Sequence, residues 1–198
     1  MKKFFLLLLL SLVMTGCSLI PTATAPAPTT ISWEEHEMII SKMSHWAAAG
    51  KIGIRTPDDS QSATLSWTQN KQAYRISLSG PLGQGGATIS GDPHSSTLEI
   101  AGEQPMAAGT PEELLSLRLG WKIPVNDAQY WIKGIPSPNS TYDLSLTNNR
   151  LASLTQQGWE IEYHSYVEAN KTSLPRKLTM TREALKLTLI LRNWRIID

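Results

Sequence analysis

Tyr74-Arg75-Ile76-Ser77-Leu78-Ser79-Gly80-Pro81-Leu82-Gly83-Gln84-Gly85-Gly86-Ala87-Thr88-Ile89-Ser90-Gly91 reads as strand, glycine-rich loop, strand. Tyr74, Ile76 and Leu78 alternate with Arg75, Ser77 and Ser79, the period of a strand buried on one face. Residues 79–86 hold four glycines, and Pro81 breaks any hydrogen-bonded ladder through them. Leu82 stands in that loop without an apolar neighbour. It is either a plug folded back onto the core or a tip meant to enter something apolar, and the loop by itself leaves both open.

Outward from this stretch the same period continues. Ile52 and Ile54 alternate with Lys51, Gly53 and Arg55, and Leu65 and Trp67 alternate with Thr64, Ser66 and Thr68. Residues 97–101 extend the meander across the Asp92-Pro93 turn. On the far side, Tyr142, Leu144 and Leu146 alternate, Leu151 and Leu154 do so more loosely, and Trp159, Ile161 and Tyr163 resume the pattern. Glu160 and Glu162 fall on the solvent face of that strand. Residues 168–173 read as a polar loop before Pro175; Leu178 with Met180, then Leu185, Leu187, Leu189 and Leu191, make the last strands. So many short antiparallel strands with one apolar face predict a sheet curled into a barrel or half-barrel.

Three helices interrupt the strands. Ser32-Trp33-Glu34-Glu35 is a capping box, and Ile39, Met43, Trp46 and Ala47 follow at helical spacing, which predicts a first helix to about Ala48. Thr110-Pro111-Glu112-Glu113 starts a second, with proline at the first helical position. Its Leu114, Leu115, Leu117 and Leu119 exceed what one stripe needs, and Gly120 ends it. A third is predicted over residues 126–133, with Trp131 and Ile132 inward, before the rigid Ile135-Pro136-Ser137-Pro138. The two middle helices are placed to form a lid over the barrel's mouth.

Residues 1–16 form an export leader. Lys2 and Lys3 precede an apolar run over residues 4–13, too short to span a bilayer, and Met14-Thr15-Gly16-Cys17 closes it. Cys17 is the only cysteine, so the domain carries no disulfide of its own, and after such a leader it reads as an acylation site. Covalent diacylglycerol and an N-acyl chain on Cys17 are the expected anchor; no other cofactor is expected. Residues 17–30, rich in Pro, Thr and Ala, read as the lipidated end and an extended tether. Residues 31–198 are then one domain. Loss of Lys2 and Lys3 takes Lys and Arg from 18 to 16 against 17 Asp and Glu, a net charge of −1. That balance offers no basic patch for nucleic acid or anionic lipid.

Catalytic patterns are missing. There is no G-x-S-x-G elbow and no Walker loop. His36-Glu37 begins a zincin-like string that Ile40 ends; His45, His94 and His164 are scattered, without ligand spacing. Tryptophan is abundant instead. Trp46, Trp67, Trp121, Trp131, Trp159 and Trp194 lie in or beside periodic segments. Core packing accounts for most of them, but a barrel so lined has room for an apolar ligand.

In order along the chain, Cys17, Pro81-Leu82-Gly83, Trp121-Lys122-Ile123-Pro124-Val125-Asn126 and Gln129-Tyr130-Trp131-Ile132-Lys133-Gly134-Ile135-Pro136 resemble the LolB family of outer-membrane lipoprotein receptors. The closing Leu185-Lys186-Leu187 strand and Asn193-Trp194 extend the resemblance over nearly the whole domain. It departs in a lining poorer in aromatics, with Gly53 and Ser66 in the early strands. The resemblance implies an unclosed antiparallel barrel, mainly β, with helices as a lid over an apolar cavity. It implies a monomeric receptor that is not an enzyme and that accepts lipoproteins from the periplasmic carrier LolA. Without nucleotide hydrolysis it would pass their acyl chains into outer-membrane lipid, anchored in the inner leaflet and facing the periplasm. Pro81, Leu82 and Gly83 become the membrane-inserting loop, and Trp46, Trp67, Trp121 and Trp131 the expected cavity lining. Ser18, rather than aspartate, follows the cysteine, which implies outer-membrane sorting. The alternatives are an envelope lipoprotein enzyme acting on lipid or glycan, marked by a nucleophile–base pair at the cavity rim, and a structural lipoprotein that binds no acyl chain.

Overall fold

The computed structural model describes residues 31–80, 85–138, 140–170 and 172–197. The strands are β1 (His45–Arg55), β2 (Ser60–Asn70), β3 (Ala73–Ser79), β4 (Gly86–Gly91), β5 (Ser96–Ile100) and β6 (Met106–Ala108), then β7 (Tyr142–Thr147), β8 (Arg150–Gln156), β9 (Trp159–Ala169), β10 (Thr172–Arg182) and β11 (Leu185–Ile196). They form one antiparallel sheet in the order β6-β5-β4-β3-β2-β1-β11-β10-β9-β8-β7. The first and last long strands meet at its centre, and β6 and β7 remain as open edges. The sheet is mostly hairpins, curled and unclosed, as the alternation predicts.

At the centre, β1 and β11 approach closely. Their register shifts between Ala49 and Gly50, and a Cβ on Gly50 would stand 1.9 Å from the Ile190 carbonyl oxygen. Only glycine permits that approach, and the bulge bends the sheet there.

Helix α1 (Trp33–Ser41) begins as its capping box predicts, with Glu35 N–H donating to Ser32 Oγ at 3.2 Å. It ends six or seven residues earlier than the spacing of Met43, Trp46 and Ala47 predicts. His45 is already in strand, and Trp46 and Ala48 point inward at strand period. Ladders to β2 on one side and β11 on the other outweigh the helix propensity of Ala47, Ala48 and Ala49. The expected loop over residues 168–173 is likewise mostly strand: β9 runs to Ala169, β10 starts at Thr172, and Asn170 turns with φ 49°. Pro175 sits inside β10 at a register shift, where no ladder donor is required.

The other two helices are α2 (Pro111–Leu119) and α3 (Val125–Trp131). Thr110 caps α2, and Gly120 ends it in the left-handed region with φ 71°. No side chain on Pro124 can cap α3, so Glu112 reaches across from α2 and accepts from Asn126 N–H at 3.2 Å. The two lid helices are thus tied head to head.

His36 on α1 is fully buried, packs 6.0 Å from the Trp33 ring, and has no hydrogen-bond partner on either ring nitrogen among the described residues. Burial, with the Arg150 guanidinium adding to it, pushes its pKa down to about 4. The folded state therefore favours neutral imidazole. Stability is fully present above the ordinary histidine value of 6.5 and declines as pH falls from there toward 4, by at most about 3 kcal/mol. Thermal melting at pH 7 and pH 4.5 should show this loss, and His36→Leu should flatten the profile over that window. An unchanged slope in His36→Leu would assign the acid sensitivity elsewhere.

Candidate functional site

The inward faces of β1–β5, β10 and β11 enclose an apolar cavity with about 100 Å³ of free space. Strand register builds its wall in rows. Ile52 pairs with Leu189; one step along, Ile54 pairs with Leu187 and Leu187 with Met180. Leu65, Trp67, Ile76, Leu78, Ile89 and Leu98 continue the wall through β2–β5. Every lining side chain is apolar, so the wall offers hydrocarbon surface alone.

Its two ends differ. The end toward α1 is sealed by rings and hydrogen bonds. Trp46 packs against Trp67 at 5.6 Å and Trp194 at 5.7 Å. Trp67 Nε1–H donates to Gln69 Oε1 at 3.0 Å, and the Tyr74 hydroxyl meets Ser96 Oγ at 2.7 Å. The opposite end, where the β3–β4 loop lies, is covered by apolar side chains alone: Leu115 of α2, Trp121 and Ile123 of the link, and Val125 and Ala128 of α3. Leu117 on the outer side of α2 is 70% exposed, so it lies outside the helix's buried stripe.

The lid is pinned at one end. Behind α3, Gln156 Oε1 accepts from Trp131 Nε1–H at 2.7 Å and Ser137 N–H at 2.9 Å. Gln156 Nε2 donates to the carbonyls of Ser137 at 2.7 Å and Ser140 at 3.0 Å. Asp127 accepts from Ser137 Oγ and from Gln157 Nε2, the latter at 3.0 Å. Tyr163 hydroxyl donates to Trp131 O at 2.9 Å, and Lys133 Nζ donates to Ile40 and Met43 carbonyls at 3.4 and 3.2 Å. This post is polar, buried and satisfied, so it holds its geometry. The link over residues 120–123 has no such ties to the strands beneath it among the described residues.

Of the four tryptophans expected to line the cavity, Trp67 and Trp121 border it. Trp46 lies behind Trp67 in the seal, and Trp131 belongs to the post, packed 6.2 Å from Trp159. Gly53 and Ser66 sit on the opposite sheet face from the lining residues Ile52, Ile54, Leu65 and Trp67, so they take nothing from its wall. Cys17, Pro81, Leu82 and Gly83 lie outside the described residues; the flanks of that loop close through Gly80 N–H donating to Gly85 O at 3.2 Å. Leu115, Ile123 and Ala128 were not foreseen as lining, and Gln156 and Asp127 were not foreseen at all. Their partners lie 10 to 30 residues away, beyond any local pattern. No helix among the described residues is long and apolar enough to cross a membrane.

A family model for outer membrane lipoprotein LolB matches residues 44–194. The outer-membrane lipoprotein LolB of Pseudomonas savastanoi pv. phaseolicola is 41% identical over 185 residues, 92% of this chain and 90% of that one. That of Stutzerimonas stutzeri is 38% identical over 188 residues, 93% and 91% of the two chains. Among solved structures, a LolA superfamily protein from Nitrosomonas europaea aligns with TM-score 0.51 at 10% identity, covering 85% of this chain and 94% of that one. A lipoprotein-sorting protein domain from Vibrio parahaemolyticus, itself described as putative, aligns with TM-score 0.54 at 6% identity, covering 84% and 91%. At such identities these two share the fold.

Proposed function

The chain belongs to the LolB family of outer-membrane lipoproteins, and from that premise we propose that its domain receives lipoproteins from the carrier LolA, shelters their acyl chains in the apolar cavity and releases them into the outer membrane. The observation that carries this reading is the wholly apolar cavity closed by an apolar lid. A triacylated protein exposes some forty methylenes or more, tens of kcal/mol at about 0.8 each, so it needs shelter at every stage. The chain acts as a monomeric receptor rather than an enzyme, held by acyl groups on Cys17 in the leaflet that faces the periplasm. Transfer runs down an affinity gradient from carrier to receptor to bilayer, with no nucleotide hydrolysed.

The resting cavity is too small for this cargo. A space of about 100 Å³ is below the roughly 150 Å³ that holds one benzene. The lid must lift for chains to enter, and the contacts that yield are those of α2 and the link, because the post behind α3 is hydrogen-bonded on all sides. Opening exposes apolar wall, which is tolerable only while acyl chains replace the lid.

The test mixes LolA carrying a labelled lipoprotein with this protein and measures movement of the label. Transfer should proceed without ATP, with emission from Trp67 and Trp121 shifting as chains arrive. Transfer that fails, or that needs a nucleotide, would overturn the reading. Transfer with tryptophan emission unchanged would place the chains outside this cavity.

A further inference from the structure

The rows of the cavity wall do not stop at the lid. One step beyond Ile54, Leu187 and Met180, the same strand faces carry Thr56, Leu185 and Arg182; Leu185 and Arg182 are paired across β10 and β11. These residues, with Pro57, Lys122 and Trp159, line a second pocket of about 230 Å³. Trp121 lines both spaces, so one indole separates a wholly apolar chamber from one of mixed lining.

The second pocket gathers donor side chains in a mixed lining: Arg182, half-buried, Lys122, exposed to solvent, and Trp159. The Trp159 side chain lines this pocket's floor, fully buried, and its Nε1–H has no hydrogen-bond partner among the described residues. A buried indole N–H without an acceptor is costly and uncommon. Arg182 makes no ion pair among the described residues. Against these donors and Lys122, the pocket holds one carboxylate, that of Glu183. Its excess of donors and positive charge fits oxygen acceptors, best of all anionic ones.

Resting on the reading of the cavity as an acyl shelter, we propose that this rim pocket seats the oxygen-bearing glycerol head of a bound acyl lipid while its chains lie beneath Trp121. Ester carbonyls and phosphate oxygens share the required chemistry. Trp159 Nε1–H and Arg182 are the inner donors, and Lys122 closes over the head from the link. Seating the head also draws on the lid itself, since Lys122 and Trp121 move with the link. Head and chains are then read together, and a chain without a head is held less well.

The experiment uses the whole mature chain with Cys17→Ala, so that its own acyl groups do not compete. Three probes are titrated: phosphatidylglycerol, a triacylated cysteinyl peptide with esters but no phosphate, and N-phenylnaphthylamine, which has neither. Arg182→Gln and Lys122→Gln should each weaken phosphatidylglycerol by about tenfold, the scale of one charge-assisted hydrogen bond. Trp159→Phe should weaken both lipids. Naphthylamine binding should stay as in the parent for all three variants. Losses confined to phosphatidylglycerol would identify a phosphate as the head, and losses in both lipids a glycerol ester; glycerol phosphate as competitor separates a bound lipid from free phosphate. Equal losses for all three probes, or none for either lipid, would overturn the proposal. Failure of the triacylated peptide to bind the parent chain at all would count against the receptor reading, and leaves the phosphatidylglycerol comparison to decide this one.

Discussion

Leu82→Glu should accept lipoprotein from LolA at close to the parent rate and deliver it into liposomes at least about tenfold more slowly. One leucine entering an apolar phase gains about 1.5–3 kcal/mol. That is too little by itself to anchor a domain, and far too little to hold a cargo. It is enough to bias a loop toward lipid, and about 1.4 kcal/mol corresponds to each factor of ten in population. A glutamate reverses the sign of that bias. Leu82→Phe and Leu82→Ile should retain most delivery, because both keep the side chain apolar. Melting, acceptance and delivery are measured on the same variants. If Leu82→Glu melts several degrees lower and delivers normally once folded, the leucine is a plug on the core instead.

The placement of the loop suits this role. Gly80 and Gly85 lie at the end of the sheet where the cavity is covered only by the lid. The polypeptide comes in at the opposite end, where Asn149 Nδ2 donates to the Ile31 carbonyl at 3.1 Å. Strand β1 has 11 residues and so measures about 36 Å. Residues 17–31 reach at most about 46–50 Å when extended. A domain anchored at Cys17 would therefore have enough chain to turn its covered end toward its own membrane.

Much of this was legible in the sequence, for physical reasons that differ by element. The alternations at Leu65 and Trp67, at Tyr74, Ile76 and Leu78, and at Leu185 to Leu191 each report a face that the curled sheet buries. Caps at Ser32 and Thr110 are local chemistry and appear as read. The start of β1 was hidden because Trp46 and Ala47 sit at a spacing that both helix and strand accept, and only partners far along the chain decide between them. Strand β6, three residues long, has no pattern to detect. The four tryptophans look alike in sequence. Whether each borders a cavity, a seal or a post depends on Gln69, Gln156 and other residues across the fold. The lining was thus visible as a property of strands, and the lid's fixed end was not, because it is made by polar side chains from separate elements.

That fixed end leads to the largest expected loss of stability. Gln156→Ala removes four hydrogen bonds and leaves the Trp131 indole N–H, the Ser137 N–H and two carbonyls without partners in a buried site. At about 1–3 kcal/mol for each unsatisfied group that water cannot reach, a total of roughly 3–5 kcal/mol follows. For a domain of this size that is a melting temperature lower by about 10 °C. Gln156→Glu is no rescue, since its second oxygen would face the Ser137 and Ser140 carbonyls that the amide now satisfies. Trp121→Ala makes the contrast. The Trp121 side chain is half-buried and makes no hydrogen bond among the described residues, and its backbone N–H bond to Leu115 O survives truncation, so its loss should cost less than about 2 kcal/mol and should loosen retention of acyl probes. Differential scanning calorimetry and probe dissociation on the two variants separate a post from a cover. A Gln156→Ala protein that melts within a degree of the parent would mean that α3 is held by packing alone. A Trp121→Ala protein as destabilised as Gln156→Ala would mean that the link is part of the fixed structure, and that chains must enter the cavity by another side.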